Sequence, residues 1–166
     1  MVTICAGILA VAGCHQPAPD PDRSASASTG CPSGLVPVDL RLPDGREQVN
    51  LNVLNATGVP GREQTVFVEL GRRGFQMLST SAGLPVEDKV AIIRYGPRTV
   101  GAAWVMRAYF LDQAATEFDL KRADDRVDIV LGARFREPGT VTEVNQSLAR
   151  LGQPTPPPGT CDGMPR

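Results

Sequence analysis

The cysteines are the residues of this sequence with the clearest chemistry. Its 166 residues contain four of them: Cys5, Cys14, Cys31 and Cys161. Cys14 directly follows Val11, Ala12 and Gly13. Small residues before a cysteine, after an apolar run, are typical of the site where a bacterial lipoprotein signal peptide is cleaved and the new N-terminal cysteine is acylated. We therefore predict that residues 1–13 are a signal peptide and that Cys14 carries a lipid, which would hold the protein at the outer face of the cytoplasmic membrane.

A second interpretation of this N-terminal segment stays open. No Lys or Arg precedes the apolar run from Ile4 to Ala12, and the run is short for a signal peptide. If further basic and apolar residues preceded it, the segment would be a transmembrane anchor, which needs roughly 20 apolar residues. Both interpretations place the remainder outside the cell. Residues 14–30, rich in Pro, Ala, Ser and Asp, are predicted to be a flexible tether.

Cys31 and Cys161 bracket the segment left for folding, residues 31–166. In an exported protein such a pair predicts a disulfide, since two unrelated thiols are uncommon outside the cytoplasm. The bridge would bring both ends of the domain together. A metal site that includes these two cysteines is not expected, because it would need further ligands such as histidine, and the only histidine, His15, lies in the tether.

The sequence offers little for catalysis or for binding nucleic acid. Nucleophilic catalysis of the Ser-His type needs a positioned base, and the predicted domain has no histidine. Its acidic residues fall on predicted turns or outward strand positions, not in pairs suited to acid-base chemistry. The 17 basic and 18 acidic residues nearly cancel and create no field for a nucleic acid. We predict a protein that is not an enzyme, with no cofactor, metal or nucleic-acid partner.

Two predicted turns are candidates for binding an anion. The turn from Asn55 through Gly58 to Gly61 leads into a predicted helix, whose free N–H groups and dipole favour a phosphate or carboxylate. Arg98, after Gly96-Pro97, begins a second helix and adds a guanidinium. If the two turns lay at the same edge of the sheet, they would form one anion site. The alternative is ordinary turn and cap chemistry, which needs the same residue types.

The elements that must position these residues alternate between strand and helix patterns. Strands are predicted at residues 49–55, from Phe75, and at 90–95; helices at residues 62–73 and from Pro97, where Val100, Ala103, Trp104, Ala108 and Leu111 form an apolar stripe; and a last helix at residues 140–151, before a Pro-rich tail. This order predicts a two-layer α/β sandwich, with a mixed sheet of about four to five strands and two to three helices mainly on one face.

The segment from Ala115 to Leu131 is predicted to be a β-hairpin. Two alternating runs flank the polar turn Arg122-Ala-Asp-Asp125. Asp124, Asp125 and Asp128 lack the glycine-containing 12-residue pattern of a calcium loop. We expect them to form a solvated turn.

Four ordered blocks resemble a known family. They are residues 49–61 (VNLNVLNATGVPG), the Arg73-Gly-Phe75 step, residues 93–97 (IRYGP), and residues 125–132 (DRVDIVLG) ending in Phe135. Over roughly residues 48–136 they are similar to the LytR C-terminal domain. The 122–128 block and the bracketing cysteines also resemble an actinobacterial envelope integrity protein of this type. In the family, the domain stands alone on an anchor or follows a LytR-CpsA-Psr phosphotransferase domain, for which there is no room here.

The resemblance implies a membrane-anchored accessory protein in an actinobacterial cell envelope, acting in envelope integrity or wall-polymer assembly. Two modes of action follow. In the first, the domain docks to an envelope protein partner, and the helix-free sheet face is expected to carry an exposed apolar patch. The alternative is a ligand-binding module for an anionic cell-wall polymer or a lipid headgroup, with arginines and backbone donors converging near Asn55 and Arg98.

Overall fold

The computed structural model describes residues 30–163. Its elements, in chain order, are β1 (Val36–Val38), β2 (Asn50–Ala56), α1 (Arg62–Arg72), β3 (Gln76–Ser81), β4 (Ala91–Tyr95), α2 (Val100–Tyr109), β5 (Ala115–Phe118), β6 (Arg126–Gly132), α3 (Val141–Leu151) and β7 (Thr160–Asp162). Short 3₁₀ turns at Arg46–Gln48 and Pro97–Thr99 precede β2 and α2. The predicted α/β class is confirmed, and the small β1–β7 pair is an addition that no sequence pattern indicated.

The main sheet has five strands in the order β3-β2-β6-β4-β5. It contains two strand-helix-strand units, β2-α1-β3 and β4-α2-β5, each made of neighbouring parallel strands joined by a helix. Strand β6 lies between the units, parallel to β2 and antiparallel to β4. The two units therefore run in opposite directions, which makes the sheet mixed as predicted.

The predicted hairpin between β5 and β6 is wrong. Both strands exist, but β5 pairs in parallel with β4, with Ile92 opposite Ala115 and Tyr95 opposite Phe118. Strand β4 thus lies between β5 and β6. The reason is that helix α2 is a crossover connection: it carries the chain back to the start of β4, so that β5 can pair with β4 in parallel on the side away from β6. The following turn must then pass the end of β4 to reach β6.

All three helices pack on one face of this sheet. Strand side chains alternate between the two faces, and the inward positions form one buried cluster with the helices. It includes Leu51, Val53, Ile93 and Ile129 from the strands, and Val66, Leu70, Met106 and Val144 from the helices. On the opposite face a smaller cluster around Ile92 and Val130 is covered by Leu84, from the loop before β4.

Helix boundaries follow the predicted signals closely. Helix α1 ends before Gly74, whose φ of +96° is a backbone conformation that glycine adopts readily. Helix α2 begins after the 3₁₀ turn at Pro97. Its predicted stripe is only partly buried, since Trp104 is half-buried and Leu111 lies beyond the helix end. Met106 and Tyr109 are buried instead and belong to the core cluster shared with the sheet; the Tyr109 ring centre lies 4.9 Å from that of Phe75.

Candidate functional site

The disulfide between Cys31 and Cys161 is present, with the two Cα atoms 5.8 Å apart. Beside it, β1 pairs in parallel with β7. The chain continues from β1 to Asp39, whose N–H donates to the Pro97 carbonyl (2.8 Å) and whose carbonyl accepts from the Gly101 N–H (3.1 Å). The predicted bridge is confirmed, and it ties both ends of the domain to the start of α2. Such a bridge is typical of exported proteins.

Asn55 lies at the C-terminal end of β2, is 6% exposed, and uses its side chain within its own turn. Its Nδ2 donates to the Val59 carbonyl (2.8 Å) and to the Glu63 carboxylate (2.5 Å). Its Oδ1 accepts from the N–H (2.9 Å) and the hydroxyl (2.7 Å) of Thr57. These contacts occupy both amide donors and the acceptor. They are turn chemistry, and a ligand contact at Asn55 stays a prediction.

Gly58 and Gly61 have φ angles of +77° and +76°. Residues other than glycine rarely adopt this backbone conformation, so the path of the turn is sufficient to explain both glycines. Gly61 is the residue before α1, and the Glu63 carboxylate lies in the first helical turn, where the helix dipole favours a negative charge. Ligand contact at either glycine also stays a prediction.

Arg98 lies at the opposite end of the sheet from Asn55. In the strand register, Asn55 is opposite Leu131, and Leu131 is opposite Ala91, the first residue of β4. Arg98 comes after the last residue of β4, Tyr95. Because β2 and β4 run in opposite directions, the two turns lie at opposite ends of the strands and do not form one anion site.

The surroundings of Arg98 are acidic. Its side chain is exposed and reaches the Ala123 carbonyl at 3.5 Å. It lines a groove of about 540 Å³ with Asp39, Asp44 and Asp125, and with Arg41, which pairs with Asp39. Carboxylates near a guanidinium weaken the attraction of the groove for an anion.

Arg122 binds two aspartates in and beside the predicted acidic turn. Its guanidinium pairs with Asp124 and Asp128, both at 2.8 Å, and its side chain is 13% exposed. Burial raises the pKa of Asp124, but hydrogen bonds from Arg122 and Arg126 outweigh it and hold that pKa at about 2. Asn52, on the adjacent strand, donates to Asp128 at 2.7 Å. The side chains of the turn are thus joined by ion pairs and hydrogen bonds. The middle of the helix-free sheet face is polar, so it is not the apolar patch that was expected for docking.

A groove of about 770 Å³ runs along α1, bordered on its other side by the segment from Phe135 to Pro138. Its charged lining residues are Arg62, Glu69, Arg72, Arg73, Arg136 and Glu137. The sequence patterns did not single out this site. Arg72 and Arg73 fit a helix C-terminus without any ligand, and the approach of Arg136 to α1 depends on where the chain goes after β6.

Other predicted features can be placed only in part. Within residues 30–163, no three His, Cys, Asp or Glu side chains are grouped so as to hold a metal ion. None of the helices in that range has both the length and the apolar character needed to cross a bilayer. Cys14, the proposed lipidation site, lies outside the described residues, as do the predicted signal peptide and nearly all of the tether.

Known proteins relate to the chain through this sheet and its two units. A family model described as the LytR cell envelope-related transcriptional attenuator, LytR_C, matches residues 48–135. The chain belongs to this family. The matched residues contain β2 through β6, and leave out α3 and the disulfide-linked strands. The LytR_C family is of a non-catalytic type, and membership of it fits an exported protein with an accessory role in the cell envelope.

Two solved structures are similar to the chain. One is the soluble domain of a conserved hypothetical secreted protein from Mycobacterium marinum, with 28% identity, a TM-score of 0.49, and coverage of 78% of this chain and 82% of that one. The other is the C-terminal domain of RV0431, with 21% identity, a TM-score of 0.34, and coverage of 67% of this chain and 93% of that one. No curated protein matches the chain.

Proposed function

We propose that this protein is a non-catalytic accessory protein of the cell envelope that acts by docking to a protein partner, in envelope integrity or in wall-polymer assembly. A lipid on Cys14 and the tether would hold the domain at the outer face of the cytoplasmic membrane. The observation that carries the proposal is the open edge of the main sheet at β3. Family membership supports the compartment and the accessory role.

Strand β3 has one bulge but lacks the charges, proline and cover with which most proteins protect a sheet edge. Natural edge strands usually carry charges or proline, or lie under another element. Strand β3 (Gln76–Ser81) has neither a charged residue nor a proline, and five of its six residues are exposed. The opposite edge strand, β5, is shorter and carries Glu117. The unpaired backbone groups of β3 are therefore the better template for a partner strand.

Leu78 gives this edge an apolar contact. The pairing of β2 with β3 passes from Leu51–Met77 to Asn52–Ser79, so Leu78 is the extra residue of a bulge. Its side chain is 44% exposed. An extended segment of a partner added beside β3 would gain main-chain hydrogen bonds and a contact with Leu78, as in other strand-addition complexes.

Site-specific photo-crosslinking in the native envelope tests this proposal. A photoreactive amino acid replaces Thr80 on β3 or, as the matched control, Thr116 on β5; both residues are exposed edge positions. We expect one discrete protein adduct from position 80 and none from position 116. Adding Leu78→Lys should remove the adduct. Equal adducts from both edges, or an adduct that Leu78→Lys does not reduce, would refute docking at β3.

A further inference from the structure

The groove along α1 collects arginines whose charge is not neutralised within the domain. Within residues 30–163, four arginines have neither an ion pair nor a side-chain hydrogen bond to another residue of that range: Arg62, Arg72, Arg136 and Arg150. Three of these four line the one groove. The whole chain has a net charge of −1, so a local excess of positive charge is not a consequence of composition.

The remaining charges in the groove leave that excess in place. Arg73 pairs with Glu69 at 2.8 Å and also donates to the Gly139 carbonyl, so this pair adds no net charge. Glu137 is the other acidic lining residue. Three free arginines against one carboxylate leave the groove cationic, in contrast to the groove at Arg98, where three aspartates outnumber two arginines.

The spacing of these arginines indicates an elongated ligand. Arg62, Thr65, Glu69 and Arg72 recur at intervals of three and four residues, so they share one face of α1. Ten residues of helix separate Arg62 from Arg72 by ~15 Å at 1.5 Å per residue. A single phosphate does not span that length. A chain with repeated anionic groups meets both ends, and each guanidinium binds an oxyanion through paired hydrogen bonds.

The lining also distinguishes between classes of polyanion. Phe135 is the aromatic residue of the groove and is 3% exposed, so it offers no surface for stacking a nucleic-acid base. Of the two valines in the lining, Val68 is exposed (40%) and Val66 is not (2%), and a single exposed valine is a weak anchor for a protein side chain. What fits is a polymer with a polar backbone and regular negative charges.

We propose that the α1 groove binds a linear phosphodiester-linked polyol or sugar polymer through Arg62, Arg72 and Arg136. This goes beyond docking at β3, because it uses a different surface and a different class of partner. Either interaction can fail without the other.

Isothermal titration of the full-length protein with poly(glycerol phosphate) tests the groove. We expect saturable binding that weakens with added salt, since exposed charges are screened. The Arg62→Gln/Arg72→Gln/Arg136→Gln variant should bind at least tenfold more weakly, with a shallower salt dependence. Lys121→Gln and Arg150→Gln are the matched controls, because both remove an exposed positive charge outside the groove, and they should bind as the unmodified protein does.

Several results would overturn this assignment. They are no binding to poly(glycerol phosphate), equal binding to neutral dextran, and an equal loss in the control variants. Tighter binding to polyglutamate, single-stranded DNA or phosphatidylglycerol vesicles would instead assign the groove to an acidic peptide, a nucleic acid or a lipid surface. The three single variants are measured alongside, so that a folding defect in the triple variant does not decide the outcome.

Discussion

The two strand-helix-strand units of the sheet have the same local plan and different surroundings. In the covered unit, β4-α2-β5, helix α2 buries six of its ten residues. In the open unit, β2-α1-β3, helix α1 buries two of its eleven, Val66 and Leu70. The difference shows that one motif serves here as support and the other as exposed surface. The β3 edge and the cationic groove both belong to the open unit.

Two segments outside the matched family range cover α2. One is helix α3, which packs beside it, and the Trp104 Nε1 donates to the Gly152 carbonyl at the end of α3 (2.9 Å). The segment after β1 crosses the start of the helix at Gly101, held by the disulfide-linked ends. The C-terminal helix and the clamp therefore stabilise one unit and leave the other free.

Removing the disulfide should give the largest effect on this contrast. The bridge joins residues 130 apart in sequence, and loop-closure entropy predicts a stabilisation of up to about 5 kcal/mol for such a loop. In the Cys31→Ala/Cys161→Ala variant we expect lower stability in chemical denaturation. Hydrogen exchange should become faster in α2 than in α1. A loss below about 1 kcal/mol, or equal loosening of both helices, would contradict the contrast.

A pair of helical glycines gives the next largest difference. A Cβ on Gly101 would collide with the Arg41 carbonyl, whereas a Cβ on Gly71 would lie 3.3 Å from the flexible Met77 side chain. We expect Gly101→Ala to lower the free energy of unfolding by roughly 1–3 kcal/mol through overpacking. Gly71→Ala should be neutral or stabilising by up to about 1 kcal/mol, because alanine favours the helix. Denaturant titration of both variants measures this, and similar losses in the two would show that α1 is as tightly covered as α2.

The smallest effect concerns the turn that links the covered unit to β6. The pKa of Asp124 is lowered from 3.8 to about 2, so its contribution to stability is present above pH ~4 and is lost as the pH falls toward 2. The Asp124→Asn variant lacks this contribution, and its stability should fall less steeply over that range. The difference will be small because the side chain is 32% exposed and partly screened. Thermal unfolding between pH 2 and 5 measures this difference. Parallel curves of stability against pH for the two proteins would show that Asp124 does not contribute to stability in this way.

Local patterns predicted most elements because each depends on neighbouring residues. The strand predicted at residues 49–55 and the helices predicted at 62–73 and 140–151 all correspond to observed elements. Strand pairing was the error. The alternating runs on both sides of Arg122 identify two strands, but a strand pattern carries no information on which neighbour it pairs with when a crossover helix places another strand between them.

For the candidate sites, the sequence by itself determined residue types and local spacing: a cysteine at each end of the domain, a glycine turn before α1, and arginines on one helical face. Tertiary structure decided what these residues meet. It placed the Asn55 and Arg98 turns at opposite ends of the strands, because β6 is parallel to β2 and antiparallel to β4. It also brought Arg136 beside α1. Charges distant in sequence combine into one field only when the chain path brings them to the same surface, and that path is set by packing of the whole sheet.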